Sequence, residues 1–367
     1  MKKAKILIVY PGRFGFHVVS YFLGKYASLK HDVTYLGLSF RATNNCSRSN
    51  QLPGVRVREH ECRSGLFGRA EVLRIIKEEV SSEKYDLVFT AYIPGISLLR
   101  RFFSKRHVKV VVDIRSGFLV KSDFKRRILN GILRYECRKF TNRTINSELL
   151  GEYLGFSKGD VFELPLGAEP VNTPKKASDK LHLLYVGALS KRNVDVTVAG
   201  LKLFMDRMGS DLVQKYDIIG AGSPDDEQSL RDAISAHGLE KIIEMHGYVP
   251  RENIQKFLSV ANVGVSFVPM TPYYDMQPVT KTYEFLLAGL PLIATRTTQN
   301  LKQVNAANGV LIDDTAESFS KGLEEFVAIN SVGGFDCDQI RESSLKHSWE
   351  KLISEQYLPY LEAVFDS

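Results

Sequence analysis

The sequence predicts an α/β protein made of two Rossmann-like, doubly wound domains. Three observations carry this expectation: a length of 367 residues, short apolar runs that alternate with helical patterns, and a polar, proline-rich break near the middle. A chain of that length exceeds one ordinary core and suits two domains of common size. Near-continuous β-branched runs between helices mark strands buried on both faces, hence parallel sheets.

In order, a first buried strand is expected at 5–10, then a turn at Pro11-Gly12 and a helix over 16–29. Further strands are expected at 33–38, 87–90, 108–113 and 143–146, with helices between them. Pro165, Pro170 and Pro174, with Asn172, Thr173 and two lysines, then make a stretch without periodicity, the expected linker. A second series of strands follows at 181–186, 216–219, 263–268, 290–294 and 310–312. The closing stretch, 348–364, carries Trp349, Leu352, Ile353, Tyr357 and Leu361 at helical spacing and reads as an amphipathic helix. The expected domains are therefore 1–170 and 171–348, with the helix at 349–367 belonging to the first.

Composition narrows the class. With 44% hydrophobic and 25% charged residues the chain has the make-up of an ordinary globular protein. Lys2, Lys3 and Lys5 precede only ILIVY, too short for a signal-peptide core or a membrane span, so a cytoplasmic protein is expected. Cys46, Cys62, Cys137 and Cys337 are scattered without a CxxC pair, which argues for reduced thiols and against a disulfide frame or zinc site. Residues 1–170 hold 30 Lys+Arg against 16 Asp+Glu, whereas the remainder holds 19 against 26. Such asymmetry implies two domains with different partners.

The most informative segment is 278–295, PVTKTYEFLLAGLPLIAT. Pro278 ends a loop, a helix is expected over 280–288, and Gly289 stops it. Lys281 and Glu284 then share one helical face near its N-terminus. There the helix dipole and backbone N–H groups favour an anion, and lysine adds a point charge for phosphate. A carboxylate one turn later can accept both hydroxyls of a ribose. The same spacing also describes a solvated ion pair.

With Pro278, Lys281, Glu284, Phe285, Ala288, Gly289 and Pro291 in this order, the segment resembles the nucleotide-sugar signature of retaining family 4 (group 1) glycosyltransferases. The resemblance implies the GT-B fold, two Rossmann-like domains facing each other across a cleft. It runs through the chain in order. LYVGALSKR (184–192) resembles the first strand and loop of the donor domain, which assigns Gly187, Lys191 and Arg192 to the donor diphosphate; a surface-lysine reading stands beside this. IIGAGS (218–223) is similar to the family's glycine turn and brings in Gly222, and HGYVPRENIQKFL (246–258) places Tyr248 near the base. In the first half, PGRFGFH (11–17) occupies the loop after the first strand, with Gly15 on the donor side and Arg13 and His17 as acceptor-side neighbours. VVVDIRSG (110–117) offers Asp113 or Arg115 near the reacting sugar, or as a cap of the next element.

One departure stands out. The family's second glutamate, eight positions before Glu284, is Met276 here, so sugar recognition is altered or falls to Asp275 or Gln277. Asp336-Cys337-Asp338 has the form of a metal-binding DxD, but its setting reads as a helix N-cap. No metal or other cofactor is expected, since Lys281, Arg192 and helix N-termini can offset diphosphate charge.

The resemblance implies transfer of a sugar from a nucleoside-diphosphate sugar, UDP-sugar favoured, to a glycan or lipid-linked acceptor held by the first domain. Lys281 and Arg192, with Asp113 or Arg115, are the expected catalytic groups, and retention of configuration is expected, in cell-surface polysaccharide synthesis. The basic stretches 98–109 and 121–139 would lie on the anionic inner face of a membrane, or simply form a solvated face. No nucleic-acid motif accompanies that charge. A GT-B nucleotide-sugar epimerase and an inactive nucleotide-sugar binding protein are the alternatives.

Overall fold

The structure is a computed structural model that describes residues 3–40, 52–118, 120, 122–171 and 180–366. Cys46, Lys121 and residues 172–179 of the expected linker lie outside the described residues. The chain divides into two compact units, Met1–Pro165 with Trp349–Ser367, and Leu166–Ser348.

The first unit is a seven-stranded sheet: β1 (Lys5–Pro11), β2 (Asp32–Phe40), β3 (Val55–Cys62), β4 (Leu87–Ala91), β5 (Lys109–Ile114), β6 (Asn142–Ile145) and β7 (Phe162–Glu163). The spatial order is β3-β2-β1-β4-β5-β6-β7, and every pairing is parallel. Its helices are α1 (Val18–Ala27), α2 (Gly65–Ser82), α3 (Arg100–Lys105), α4 (Asp123–Cys137) and α5 (Glu148–Leu154). The continuous runs at β1 and β4 are buried, as strands covered on both faces must be.

The second unit has six parallel strands: β8 (Leu181–Val186), β9 (Val213–Ile219), β10 (Ile243–Gly247), β11 (Val263–Ser266), β12 (Leu292–Thr295) and β13 (Gly309–Ile312), in the order β10-β9-β8-β11-β12-β13. Around them lie α6 (Asp195–Met208), α7 (Pro224–Ala236), α8 (Arg251–Val260), α9 (Pro272–Asp275), α10 (Thr280–Leu287), α11 (Thr298–Leu301), α12 (Ala316–Ser331) and α13 (Cys337–Ser344). In both sheets the strand order reverses beside the first strand, between β1 and β4 and between β8 and β11. In open parallel sheets ligands bind outside the carboxyl ends of the strands at such reversals.

β3, β7 and β10 join the expected strands, and the closing helix also differs from expectation. β3, VRVREHEC, is an edge strand that alternates charges with apolar residues, so it lacks the continuous apolar run of a buried strand. Edge strands carry such charges because one row of their backbone groups is unpaired. The closing amphipathic helix is not uniform: α14 (Trp349–Lys351) opens into a π-helical turn at Leu352–Tyr357 before α15 (Leu358–Asp366). It still buries the expected side chains: Trp349 stacks on Phe22 at 5.4 Å between ring centroids, and Tyr357 meets Phe89 edge-on at 5.5 Å. Asp336 caps α13, its side chain accepting from the N–H groups of Asp338 and Gln339.

Candidate functional site

The carboxyl ends of β8, β9 and β10 are sewn together by backbone bonds. Gly187 N–H donates to Ile219 O at 2.9 Å, Leu189 N–H to Ala221 O at 3.0 Å, and Gly220 N–H to Gly247 O at 2.8 Å. The close approach explains the glycines: a Cβ on Gly220, whose φ is +152°, would lie 1.8 Å from Gly187 O. The loop that leaves β8 then turns through Lys191 and Asn193, both at positive φ. Residues with side chains adopt that conformation only at a cost, so something must hold it. Tyr274 of α9 does: its hydroxyl donates to Lys191 O at 3.1 Å, and the Arg192 guanidinium lies 4.3 Å from its ring centroid.

α10 brings Lys281 under this loop. The helix ends in a Schellman motif, with Gly289 N–H on Leu286 O and Leu290 N–H on Phe285 O. Gly289 sits at φ +68°, and a Cβ there would meet Cys337 O at 2.4 Å. A buried polar chain fixes the helix to the sheet. Thr282 Oγ1 bonds Ser266 Oγ at 2.7 Å and Asn300 Oδ1 at 2.9 Å, and Asn300 Nδ2 donates to Thr295 O. No side chain caps the N-terminus of α10, whereas Ser223, Thr297 and Thr315 cap α7, α11 and α12. An uncapped N-terminus presents its N–H groups to an anion.

Lys281 itself is buried. Its Nζ donates to Phe267 O at 2.8 Å and lies 3.7 Å from the Tyr185 ring centroid. Its partners are a carbonyl and an aromatic face, and neither supplies a countercharge. Burial pushes its pKa well below the lysine range, and nearby Arg192 pushes it further, against the pull of Glu284. Glu284, one turn on, is partly exposed; burial raises its carboxyl although Arg251, 3.9 Å away, opposes this. Lys281, Arg192, Tyr185 and Tyr274 thus form one cationic, aromatic cluster.

Other expected donor residues fall differently. Gly222 N–H is taken by the Glu227 carboxylate at 3.1 Å, so this glycine packs the turn against Leu189. Tyr248 follows β10 and is exposed. Of the two neighbours of Met276, both carboxylate oxygens of Asp275 are engaged, by Thr298 N–H at 2.7 Å and Thr298 Oγ1 at 2.8 Å. Gln277 instead keeps a buried Nε2 that makes no hydrogen bond of good geometry, with the Tyr273 hydroxyl as its polar neighbour.

In the first unit the structure gathers Asp113, Arg115 and His17 with partners the sequence did not single out. Asp113 is 1% exposed. Its Oδ1 accepts from Thr144 Oγ1 at 2.6 Å, and its Oδ2 from Arg115 Nε at 2.6 Å and from the Tyr10 hydroxyl. Arg115 Nη1 donates to Leu164 O at 3.0 Å, leaving a buried Nη2 without a partner. The carboxylate therefore orients Arg115 and is not free to take a proton from a substrate. His17 precedes α1 with its ring 5.5 Å from that of Tyr10; burial lowers its pKa. Gly15, at φ +91°, turns the chain between them. Arg13 is not part of this cluster: it points to Glu59 and Glu61 at 3.9 and 4.0 Å. Tyr10 and Thr144 escaped notice because inside apolar strands they look like packing residues.

Residues 180–328 match the family model described as glycosyl transferases group 1. No curated protein matches the chain in sequence. Among solved structures, a glycosyltransferase from Rickettsia africae aligns at 14% identity and a TM-score of 0.73, covering 100% of both chains. The HepE protein of Anabaena, in complex with UDP and glucose, aligns at 12% identity and 0.76, covering 98% of this chain and 100% of its own. A lipopolysaccharide outer core galactosyltransferase aligns at 16% and 0.69, covering 98% and 99%. At these identities the likeness establishes the fold, two parallel Rossmann-like domains of GT-B type.

Proposed function

We propose that this chain, which has the GT-B fold and whose residues 180–328 match the group 1 glycosyl transferases, transfers a sugar from a UDP-sugar to a glycan or lipid-linked acceptor. The observation that carries the reading is Lys281: a buried amine without a countercharge, on a helix with an uncapped N-terminus, beside Arg192. An anion placed there restores the ammonium form that burial disfavours. A nucleoside diphosphate supplies that charge, and Glu284 lies one turn away for the ribose hydroxyls. UDP is favoured because HepE was solved with UDP and glucose.

In the reaction the bond between the anomeric carbon and the diphosphate oxygen breaks, the acceptor hydroxyl bonds to that carbon, and its proton passes to the departing diphosphate. Lys281 and Arg192, with Lys191, stabilise the charge that develops on the leaving group, which is the main catalytic contribution. No metal is assigned a role. Configuration is retained by attack on the same face as the leaving group, a reading supported by the likeness of 278–295 to the signature of retaining family 4; Asp113, held by Thr144, Tyr10 and Arg115, serves to orient Arg115. Gln277 takes over the sugar contact that Met276 does not make. The first domain receives the acceptor, with His17 and Arg115 as the polar groups of that side. The likeness to a lipopolysaccharide galactosyltransferase supports a role in cell-surface glycan synthesis, and the basic stretches 98–109 and 121–139 of the first domain support a place at the inner face of a membrane.

A thermal-shift screen of UDP-, GDP- and ADP-sugars tests the donor, because a bound ligand raises the melting temperature by mass action. UDP-sugars should give the largest shift. Incubation of the best donor without acceptor separates an epimerase, which would yield a new sugar nucleotide, from a transferase, which would yield none.

A further inference from the structure

α4 carries an unusual outer face. Its inward side, Asn130, Leu133 and Cys137, is buried in the first unit. On the opposite side Phe124, Ile128, Ile132 and Tyr135 are 73, 47, 45 and 62% exposed. At 3.6 residues per turn these four fall within roughly 80° of arc, a continuous apolar ridge pointing away from the core. An ordinary surface helix puts polar residues there. Lys125 borders the ridge on one side and Arg127 and Arg138 on the other, and just past the helix the Lys139 ammonium lies 4.2 Å from the Tyr135 ring centroid. Beside α4 the turn at Ile96–Leu99 exposes Leu98, followed by exposed Arg100 and Arg101 on α3. Glu136 is turned inward, its carboxylate accepting from Gly95 N–H, so it does not dilute the positive border.

An apolar ridge between two basic borders is the pattern of a helix lying in the plane of a lipid surface, with its apolar side among the acyl chains and its cations at the headgroups. We propose that α4 docks the first unit on an anionic membrane through Phe124, Ile128, Ile132 and Tyr135, with Lys125 and Arg127 on the headgroups. The proposal rests on the membrane location given above and names the element that makes it. The border charges select an anionic bilayer over an acidic protein, because the ridge between them is convex and offers no pocket to a side chain. No helix among the described residues is long and apolar enough to cross a membrane, so a surface helix is the form the contact takes.

The test is co-sedimentation of the full chain with phosphatidylcholine vesicles, with and without phosphatidylglycerol. Binding should require phosphatidylglycerol. Ile128→Glu with Ile132→Glu should reduce it about tenfold or more, and Lys125→Glu or Arg127→Glu on the order of fivefold each. Phe124→Ser, at the most exposed position, gives an independent loss. Equal binding by parent and variants overturns the proposal, as does equal binding to neutral vesicles. So does a parent that is dimeric by light scattering without lipid and becomes monomeric in the Ile128→Glu, Ile132→Glu variant, because the ridge then meets a second copy. UDP-glucose turnover with a water-soluble acceptor should be unchanged in these variants, which separates failure of the docking element from failure of the transferase reading.

Discussion

At the scale of single residues, the donor side is governed by one buried amine. Because the free protein lowers the Lys281 pKa while a diphosphate favours the ammonium, donor binding should take up a proton. Affinity for UDP-glucose should therefore fall as pH rises through the lowered pKa, since more of the free protein then holds the neutral amine. Calorimetry in buffers of different ionisation enthalpy measures the proton uptake, and Lys281→Met should abolish it. Lys281→Ala should weaken binding by about 1.5–3 kcal/mol, as for loss of a charge-assisted hydrogen bond; unchanged affinity would remove the site. Gln277→Ala should raise the KM for the UDP-sugar while UDP itself binds as before, because its amide is assigned to the sugar.

At the scale of elements, α10 and the β8 loop are held by features that a helical pattern does not report. The C-terminal stop of α10 depends on Gly289, where a side chain meets both a positive φ and the Cys337 carbonyl. Gly289→Ala should cost about 1–3 kcal/mol in urea unfolding, the usual range for a residue forced into such a conformation. A variant as stable as the parent would show that the contact with α13 relaxes freely. The strands show which signals are readable. Continuous apolar runs gave β1, β4 and β8 to within a residue, because burial on both faces leaves a pattern in the sequence itself. β3 was missed because its environment, the sheet edge, lies in the topology.

At the scale of the whole molecule, chain order and spatial order part company. The first unit is completed by Trp349–Ser367, whose Trp349 is the one tryptophan of the sequence. Deleting Trp349–Ser367 would uncover Phe22 and Phe89, so the truncated chain should lose cooperative unfolding of its first unit, as followed by near-ultraviolet circular dichroism. Acid stability belongs to this scale as well. Burial, aided by Lys346, lowers the His347 pKa from 6.5 to about 4. The unfolded chain then binds more protons than the folded one across that interval, so this contribution to stability is present above pH 6.5 and is lost as pH falls toward about 4. His347→Gln should flatten the decline; an identical pH profile would assign it to other groups. Asp217 acts in the same direction at lower pH: although burial alone would raise its pKa, His182, His246 and Lys215 hold it well below the carboxylate range.

The sequence by itself determined the fold class, two parallel α/β units, and the helix with Lys281 and Glu284, because periodicity, glycine stops and prolines are local signals. It also named Arg192 and Asp113. Only the tertiary structure decided what those groups can do. Asp113 is spent on Thr144, Tyr10 and Arg115; Gly222 is spent on Glu227; Arg192 rests on Tyr274; Asp275 is spent on Thr298, whereas the buried Nε2 of Gln277 makes no hydrogen bond of good geometry. The same holds for the basic stretch at 121–139, where charge was visible but the outward apolar ridge of α4 was not. Residue type fixes which bonds a side chain can make; which of them are already taken depends on neighbours from distant strands, and those meet only when the chain folds.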